Sequence, residues 1–435
     1  MPTRPKSTKR LPLTATLSTA AVLATTPLFA PFAHAAEPTD WFFAETRDDR
    51  AAALRELETR ASSDNTYRHA YGTALFFGGV ENFTRDLIRH GYLSGHERAL
   101  GRSALPLFSN PMPEPLTYDG LRAILERFET NIENARAVLA EVDQDEPIKI
   151  TLDLTDVRLQ LTENAPGPLP TVSDLLEQQQ ITPPRTDDEN EPEPITEFTF
   201  DNADAIWLEG YSNVILAQLD FALAHDFEKQ FDEGFHLLFP KSGLPLQDTL
   251  AQYDVSRSRG FESEQLFDLI GLIHLADFPL QDADRRRNVI RHMGEVTRLS
   301  RANWDAILAE TDNDREWLPG PQQPGVHPLS GLEVNQEMVD GWMDMLDLAD
   351  AVLAGETLIQ HIRFNLRYPN NEAKVGFNVR AFLESDANFD PVLLLTGHDA
   401  VPFMEEGNVL NTNEWRDMRN LFGRRNFTTV ALWFN

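Results

Sequence analysis

Two histidines and several carboxylates stand at helical spacing near the middle of the chain: His225, Glu228, Asp232, Glu233 and His236. Residues three or four apart share a helix face, so His225 with Glu228, and Asp232 with His236, could each present a nitrogen and an oxygen to one cation. Glu233-Gly-Phe-His236 also has the Glu-x-x-His spacing of di-iron helical bundles, which need a second copy and further glutamates. This chain has no second copy. The metal-ligating candidates are therefore His225, Glu228, Asp232 and His236, and a divalent cation is the cofactor they would take. The alternative is a solvated helix end in which Asp232 and His236 make an i,i+4 contact.

Other clusters are weaker. Asp86 and His90 repeat the Asp-x-x-x-His spacing. Asp386, Asn388 and Asp390 match the first three oxygens of a calcium loop, but Pro391 replaces its turn glycine and Gly397 its closing glutamate. Arg285, Arg286, Arg287 and Arg291 could grip an anionic ligand or pair with acids such as Asp282 and Asp284. Several strong motifs are missing. Gly91-Tyr-Leu-Ser94-Gly95 puts its serine one place late for a nucleophile elbow. His96-Glu97-Arg-Ala-Leu100 lacks the second histidine of a zinc protease. Phosphate-binding and dinucleotide-binding glycine loops do not occur, and no residue is assigned a catalytic role.

The N-terminus carries an address. Arg4, Lys6, Lys9 and Arg10 precede an apolar run over residues 11–32, which Pro12, Pro27 and Pro31 interrupt, and Ala33-His34-Ala35 follows. That order predicts a cleaved Sec-type signal peptide over residues 1–35 and a periplasmic or secreted protein. Without cleavage the same run would be a membrane anchor. The basic pair Lys9-Arg10 does not make a twin-arginine signal. The absence of cysteine excludes a lipid anchor, disulfides, thiolate catalysis and cysteine-bound metal.

Beyond residue 35 the chain keeps 34 basic against 69 acidic residues, a net charge of −35. Such a chain repels nucleic acid and anionic lipid surfaces. Its lysines there are Lys149, Lys229, Lys241 and Lys374 alone. This composition suits an external medium of high or variable salt and suits a cation-attracting surface equally. The expected partner is a protein or small-molecule ligand, with no integral membrane segment after signal cleavage.

Helical periodicity dominates the remainder. Leu121, Ile124, Leu125, Phe128, Ile132, Ala135, Val138 and Leu139 fall on one helical stripe. Met338, Trp342, Met345, Leu346, Ala349, Val352 and Leu353 form another. Residues 214–223 and 266–276 are apolar nearly all round and should be central. Gly78-Gly79 lies inside a third helical stretch over residues 74–88, where two glycines cost about 1 kcal/mol each. Close approach of a neighbouring helix, or a kink, would account for them. Trp41, Phe42 and Phe43 read as an aromatic staple that docks the start of the mature chain.

Alternation at Ile148, Ile150, Leu152 and Leu154, repeated at Val157, Leu159 and Leu161, predicts a β-hairpin near residues 148–161. A loop and a short helix near residues 173–179 follow. Residues 182–194, TPPRTDDENEPEP, combine proline and acid without an apolar side chain and predict a disordered loop. Ala137-Val-Leu-Ala-Glu141, Ala306-Ile-Leu-Ala-Glu310 and Ala351-Val-Leu-Ala-Gly355 each close an amphipathic stretch, which fits stacked helical hairpins as well as chance.

Several patches resemble a family of exported, mostly α-helical bacterial proteins to which no activity is assigned. They are Tyr71-Gly-Thr-Ala-Leu-Phe76-Phe-Gly78-Gly79, Asp204-Ala-Ile-Trp207-Leu-Glu-Gly210-Tyr211, Asp220-Phe-Ala-Leu-Ala-His225-Asp-Phe227, His236-Leu-Leu-Phe239-Pro240 and Ala431-Leu-Trp433-Phe434-Asn435. The resemblance implies export and a helical build, and no chemistry. Members of that family carry an acidic Asn-Gly-Asp-Gly-like loop after the hairpin, whereas this chain has Leu161-Thr-Glu-Asn-Ala-Pro-Gly167, which puts a cation there in doubt. His225-Asp-Phe-Glu228 is also similar to the His-x-x-Glu of the imelysin family, exported helical proteins linked to iron; Leu223 stands where that family has glycine.

The expected fold is mainly α, an array of stacked helical hairpins, superhelical or bundle-like, with one small β-hairpin. Residues 36–435 should form a single extended α-helical domain. The expected function is a non-catalytic ligand- or partner-binding scaffold. The alternatives are a metal-binding protein or metal-dependent enzyme using residues 225–236, and a structural component of the cell envelope.

Overall fold

The apolar stripes become helices in a computed structural model, which describes residues 37–92, 110, 112–162, 167–178, 196–242, 270–312, 315–323, 325, 333–365, 374–410, 412–422 and 427–435. The first half holds α1 (Asp40–Phe43), α2 (Arg47–Ala61), α3 (Asn65–Arg89), α4 (Tyr118–Leu139), β1 (Ile150–Asp153), α5 (Val172–Gln178), β2 (Glu197–Phe200), α6 (Asn202–Leu223) and α7 (Glu228–Gly234). Then come α8 (Ala283–Ala309), α9 (Gln336–Leu353), β3 (Thr357–Leu358), α10 (Ile362–Asn365), β4 (Val375–Phe377), α11 (Val379–Glu384), α12 (Pro391–Thr396), β5 (Met404–Glu406), β6 (Asn408–Val409), α13 (Thr412–Leu421) and α14 (Phe427–Phe434).

The long helices begin where a short oxygen-bearing side chain can satisfy a free backbone N–H. Asp64 accepts from Tyr67 N at 3.2 Å and Thr117 from Gly120 N at 3.0 Å. Asn335 accepts from Met338 N at 3.0 Å. Asp201 and Asp204 form a reciprocal capping box at the start of α6. All three Ala-Val-Leu or Ala-Ile-Leu repeats do close helices, at the ends of α4, α8 and α9.

Successive long helices are neighbours: α2 packs on α3, α3 on α4, α4 on α6, α6 on α8 and α8 on α9. The fold is mainly α, and Glu37–Asn435 make one compact unit. Within the unbroken α3, one glycine of the pair lies at such a contact. A Cβ on Gly79 would lie 3.0 Å from Asn131 Cβ of α4.

One core lies between α1–α4, β1 and α6, around Trp41, Phe42, Phe76, Ile132 and Leu152. A second surrounds Trp304, whose fully buried indole donates to Phe434 O at 2.9 Å. Among the described residues no helix is long and apolar enough to cross a membrane.

Two expectations need correction. The alternating segment does not fold back on itself. β1 pairs antiparallel with β2, Ile150 opposite Phe200 and Asp153 opposite Glu197, while Leu159 N donates to Pro170 O at 2.9 Å and Val172 N to Val157 O at 2.9 Å. The turn at 154–156 sends the chain towards residues 169–172 instead of back along β1. The apolar stretch 266–276 is described only from residue 270, and that part is peripheral: Ile273 is 50% exposed, because the segment packs one side against α7. The signal-like segment 1–35 and the acidic loop 182–194 lie outside the described residues.

Candidate functional site

The four predicted ligands do not converge on one point. His225, at the end of α6, is 2% exposed; its Nδ1 lies 2.7 Å from Phe221 O and its ring packs on Phe221 and Phe389. Burial lowers its pKa, so the imidazole is held neutral within an aromatic setting. Glu228 and Asp232 are exposed on α7, and His236 is half-buried in the 3-10 turn that follows.

The other sequence clusters have structural roles. Asp86 pairs with Arg127 at 2.9 Å, and His90 Nδ1 lies 3.2 Å from Glu114 O. Asp390 caps α12, and Asn388 bridges to Leu280 N and Asp277, so two of the three calcium-loop oxygens serve the backbone and its neighbours. Arg287 pairs with Asp284, as a pairing reading requires. Arg285 reaches instead to Glu129 and Asp220 on α4 and α6. Arg286 is fully buried and donates to the carbonyls of Leu383, Ser385 and Ala387.

What the fold does assemble is a cavity of about 500 Å³ in the first core. Three faces make it. α3 contributes His69, Ala70, Thr73, Phe76 and Phe77, positions i, i+1, i+4, i+7 and i+8 of one helix face. α6 contributes Asp204, Trp207, Leu208 and Tyr211 at i, i+3, i+4 and i+7. Ile150, Leu152, Leu154, Val157 and Leu159 supply the third wall, so the alternation in the sequence is real and builds a lining rather than a hairpin. Trp41 and Phe42 of α1 and Trp317, beyond α8, complete it. Trp207 stacks on Tyr211 at 5.4 Å, and Trp317 meets Trp207 edge-on at 6.2 Å. The volume is within the range of small-molecule sites, and the lining is mainly apolar and aromatic as such sites are.

Four buried polar atoms on lining residues have no hydrogen-bond partner within the protein: Arg50 Nε, His69 Nδ1, Thr73 Oγ1 and Trp317 Nε1. Buried polar groups are paired in the great majority of cases, and each exception costs about 1–3 kcal/mol. Arg50 is otherwise committed. Its guanidinium sits 3.8 Å over the Trp41 ring, donates to Glu81 at 2.9 Å and to Arg158 O at 3.1 Å. Burial pushes the Glu81 carboxyl up, against the pull of Arg50. His69 is 3% exposed, and burial lowers its pKa to about 4, so it is neutral at physiological pH.

Asp204 connects the cavity to a carboxylate cluster behind it. Single oxygens of Asp201, Glu310 and Glu316 all lie within 4.8 Å of one another. It is the one group of three or more metal-capable side chains that close among the described residues, an all-oxygen set of the kind hard cations take. Burial, then the charge of Asp201, raises Glu310 to about 8 and Asp204 well above its ordinary value. Gln323 donates to Glu310 at 3.0 Å. The cluster therefore holds protons that isolated carboxylates would release.

Sequence reasoning did not single out His69, Thr73, Arg50 or Trp317. A signal existed for two of them: His69 and Thr73 are polar positions four apart on an otherwise apolar helix face. Two of the patches that carry the family resemblance, 71–79 and 204–211, both reach this cavity. Comparison with protein-family models, curated proteins and solved structures finds no match for this chain. The chain is a mainly α-helical protein with an apolar cavity in its first core.

Proposed function

We propose that the protein is a non-catalytic binding protein that takes a small, largely apolar molecule into the cavity between α1, α3, β1 and α6, and that it works outside the cytoplasm. One observation carries the binding reading: a cavity of about 500 Å³ with an aromatic and aliphatic lining drawn from α1, α3, β1 and α6. A packed core closes such space; a binding site leaves it for a ligand. The basic start, apolar run and Ala-His-Ala of residues 1–35 support export. The metal-dependent reading is weaker because His225 is enclosed by Phe221 and Phe389 while Glu228 and Asp232 lie at the surface.

The test is a fluorescence titration with the neutral probe N-phenyl-1-naphthylamine, read also through Trp41, Trp207 and Trp317. The expected result is saturable binding of one probe per chain, lost in Val157→Trp, which fills the cavity while circular dichroism stays unchanged. Absence of binding, or binding that Val157→Trp leaves intact, would overturn the proposal.

A further inference from the structure

We infer that His292 is a proton-controlled switch at the joint of α6 and α8: when neutral its Nε2 accepts from Arg291, and when protonated the same nitrogen donates to Asp220. His292 is 3% exposed and lies outside the cavity lining, so the device is independent of the proposed binding site. Asn213 of α6 fixes one side of the ring. Its Nδ2 donates to Glu209 O at 3.0 Å, which leaves its Oδ1 facing His292 Nδ1 at 2.8 Å. An amide oxygen only accepts, so Nδ1 carries a hydrogen in the neutral and the charged ring alike.

The other nitrogen has two competing partners. Nε2 lies 2.9 Å from an Arg291 Nη2 and 3.4 Å from Asp220 Oδ2. A guanidinium only donates and an ionised carboxylate only accepts, so the two require opposite forms of Nε2. The shorter contact, to Arg291, is that of a bare nitrogen, and the arrangement is therefore the neutral one. An added proton sets two donors against each other there and gives Nε2 a charge-assisted bond to Asp220. Arg291 is the partner that moves: it is an exposed residue, whereas Asp220 is 4% exposed and held by Arg285 at 3.0 Å. The surrounding charges leave room for the proton. From α6 come Asp220 and, beyond Asn213, Glu209; from α4 come Glu129 on Arg285, Glu133, and Arg136 at 4.0 Å from Glu209; α8 itself adds Arg285 and Arg291. Glu295 of α8 is taken by Arg298. α11 meets α8 near its start, at Arg286, and α9 further along, where Asp350 takes Thr297 and Arg301. Around His292 four carboxylates thus face three arginines, and a protonated imidazole brings them to balance, as buried charge requires.

The experiment follows the imidazole nitrogens by NMR from pH 9 to pH 5 in the full chain labelled with ¹⁵N-histidine. The His292 signals are those that His292→Gln removes or, should that variant not fold, those that the surface change Arg291→Met displaces. At pH 9 the ring should show the Nδ1–H tautomer, and acidification should convert it to the doubly protonated form. Asp220→Asn removes the acceptor of the charged form and should move that conversion to lower pH by about one unit or more. Arg291→Met removes the donor that favours the neutral form and should move it to higher pH. These opposite displacements are what a buried histidine with a merely structural role would not give. An Nε2–H tautomer at pH 9, a ring that keeps one form throughout, or displacements in the same direction would each overturn the switch.

Discussion

Glu310 shows how one residue can be ordinary in sequence and exceptional in place. It follows the last turn of α8 and faces Asp201 and Glu316. Its pKa rises from 4.5 to about 8, through burial first and the Asp201 charge second. A raised carboxyl favours the fold while protonated. Its contribution is fully present below the unfolded value of about 4.5 and is lost as pH rises through about 8. Glu310→Gln keeps the shape and removes the charge. Urea unfolding at pH 5, 7 and 9 should therefore show the variant gaining on the wild type as pH rises, with the largest advantage at pH 9. A difference that stays constant across that range would contradict this reading of the cluster. Nothing in the linear sequence signals the cluster, because Asp201 and Glu310 are 109 positions apart and each merely borders a helix. His225 is the converse case: its spacing suggests a ligand, and its surroundings of Phe221 and Phe389 make it part of the packing.

The elements were the most legible level. Apolar stripes at 3.6-residue spacing became α4 and α9 with their bounds nearly as read, since amphipathic burial and oxygen-bearing caps act locally. The β pairing was not legible, because the partner of β1 lies some 50 residues away, beyond the acidic stretch, and alternation alone does not name a partner. The two glycines of the α3 pair play different parts. A Cβ on Gly79 would lie 3.0 Å from Asn131 Cβ of α4, whereas one on Gly78 would make an ordinary 3.6 Å contact with Trp41. Gly79→Val should destabilise by about 1–3 kcal/mol through overpacking, while Gly78→Ala should be neutral or stabilise by up to about 1 kcal/mol through helix propensity. Thermal unfolding of the two variants checks this; equal effects would mean that helix contact does not explain the pair.

For the molecule as a whole, the successive helices place α3 and α6 on either side of a space that β1 and the following extended segment close from a third direction. The segments that make these walls are far apart in sequence, and their apolar residues are indistinguishable from core residues until the fold leaves them facing a cavity. That is why the mainly helical build was legible in the sequence and the cavity was not. The account stands on that space being a ligand site. The most direct measurement is a crystal structure of the protein grown with 2-acetyl-6-bromonaphthalene, with data collected at the bromine absorption edge. A ligand site there predicts a bromine peak between α3, β1 and α6. A cavity closed by its own side chains, or bromine bound only elsewhere, would contradict it.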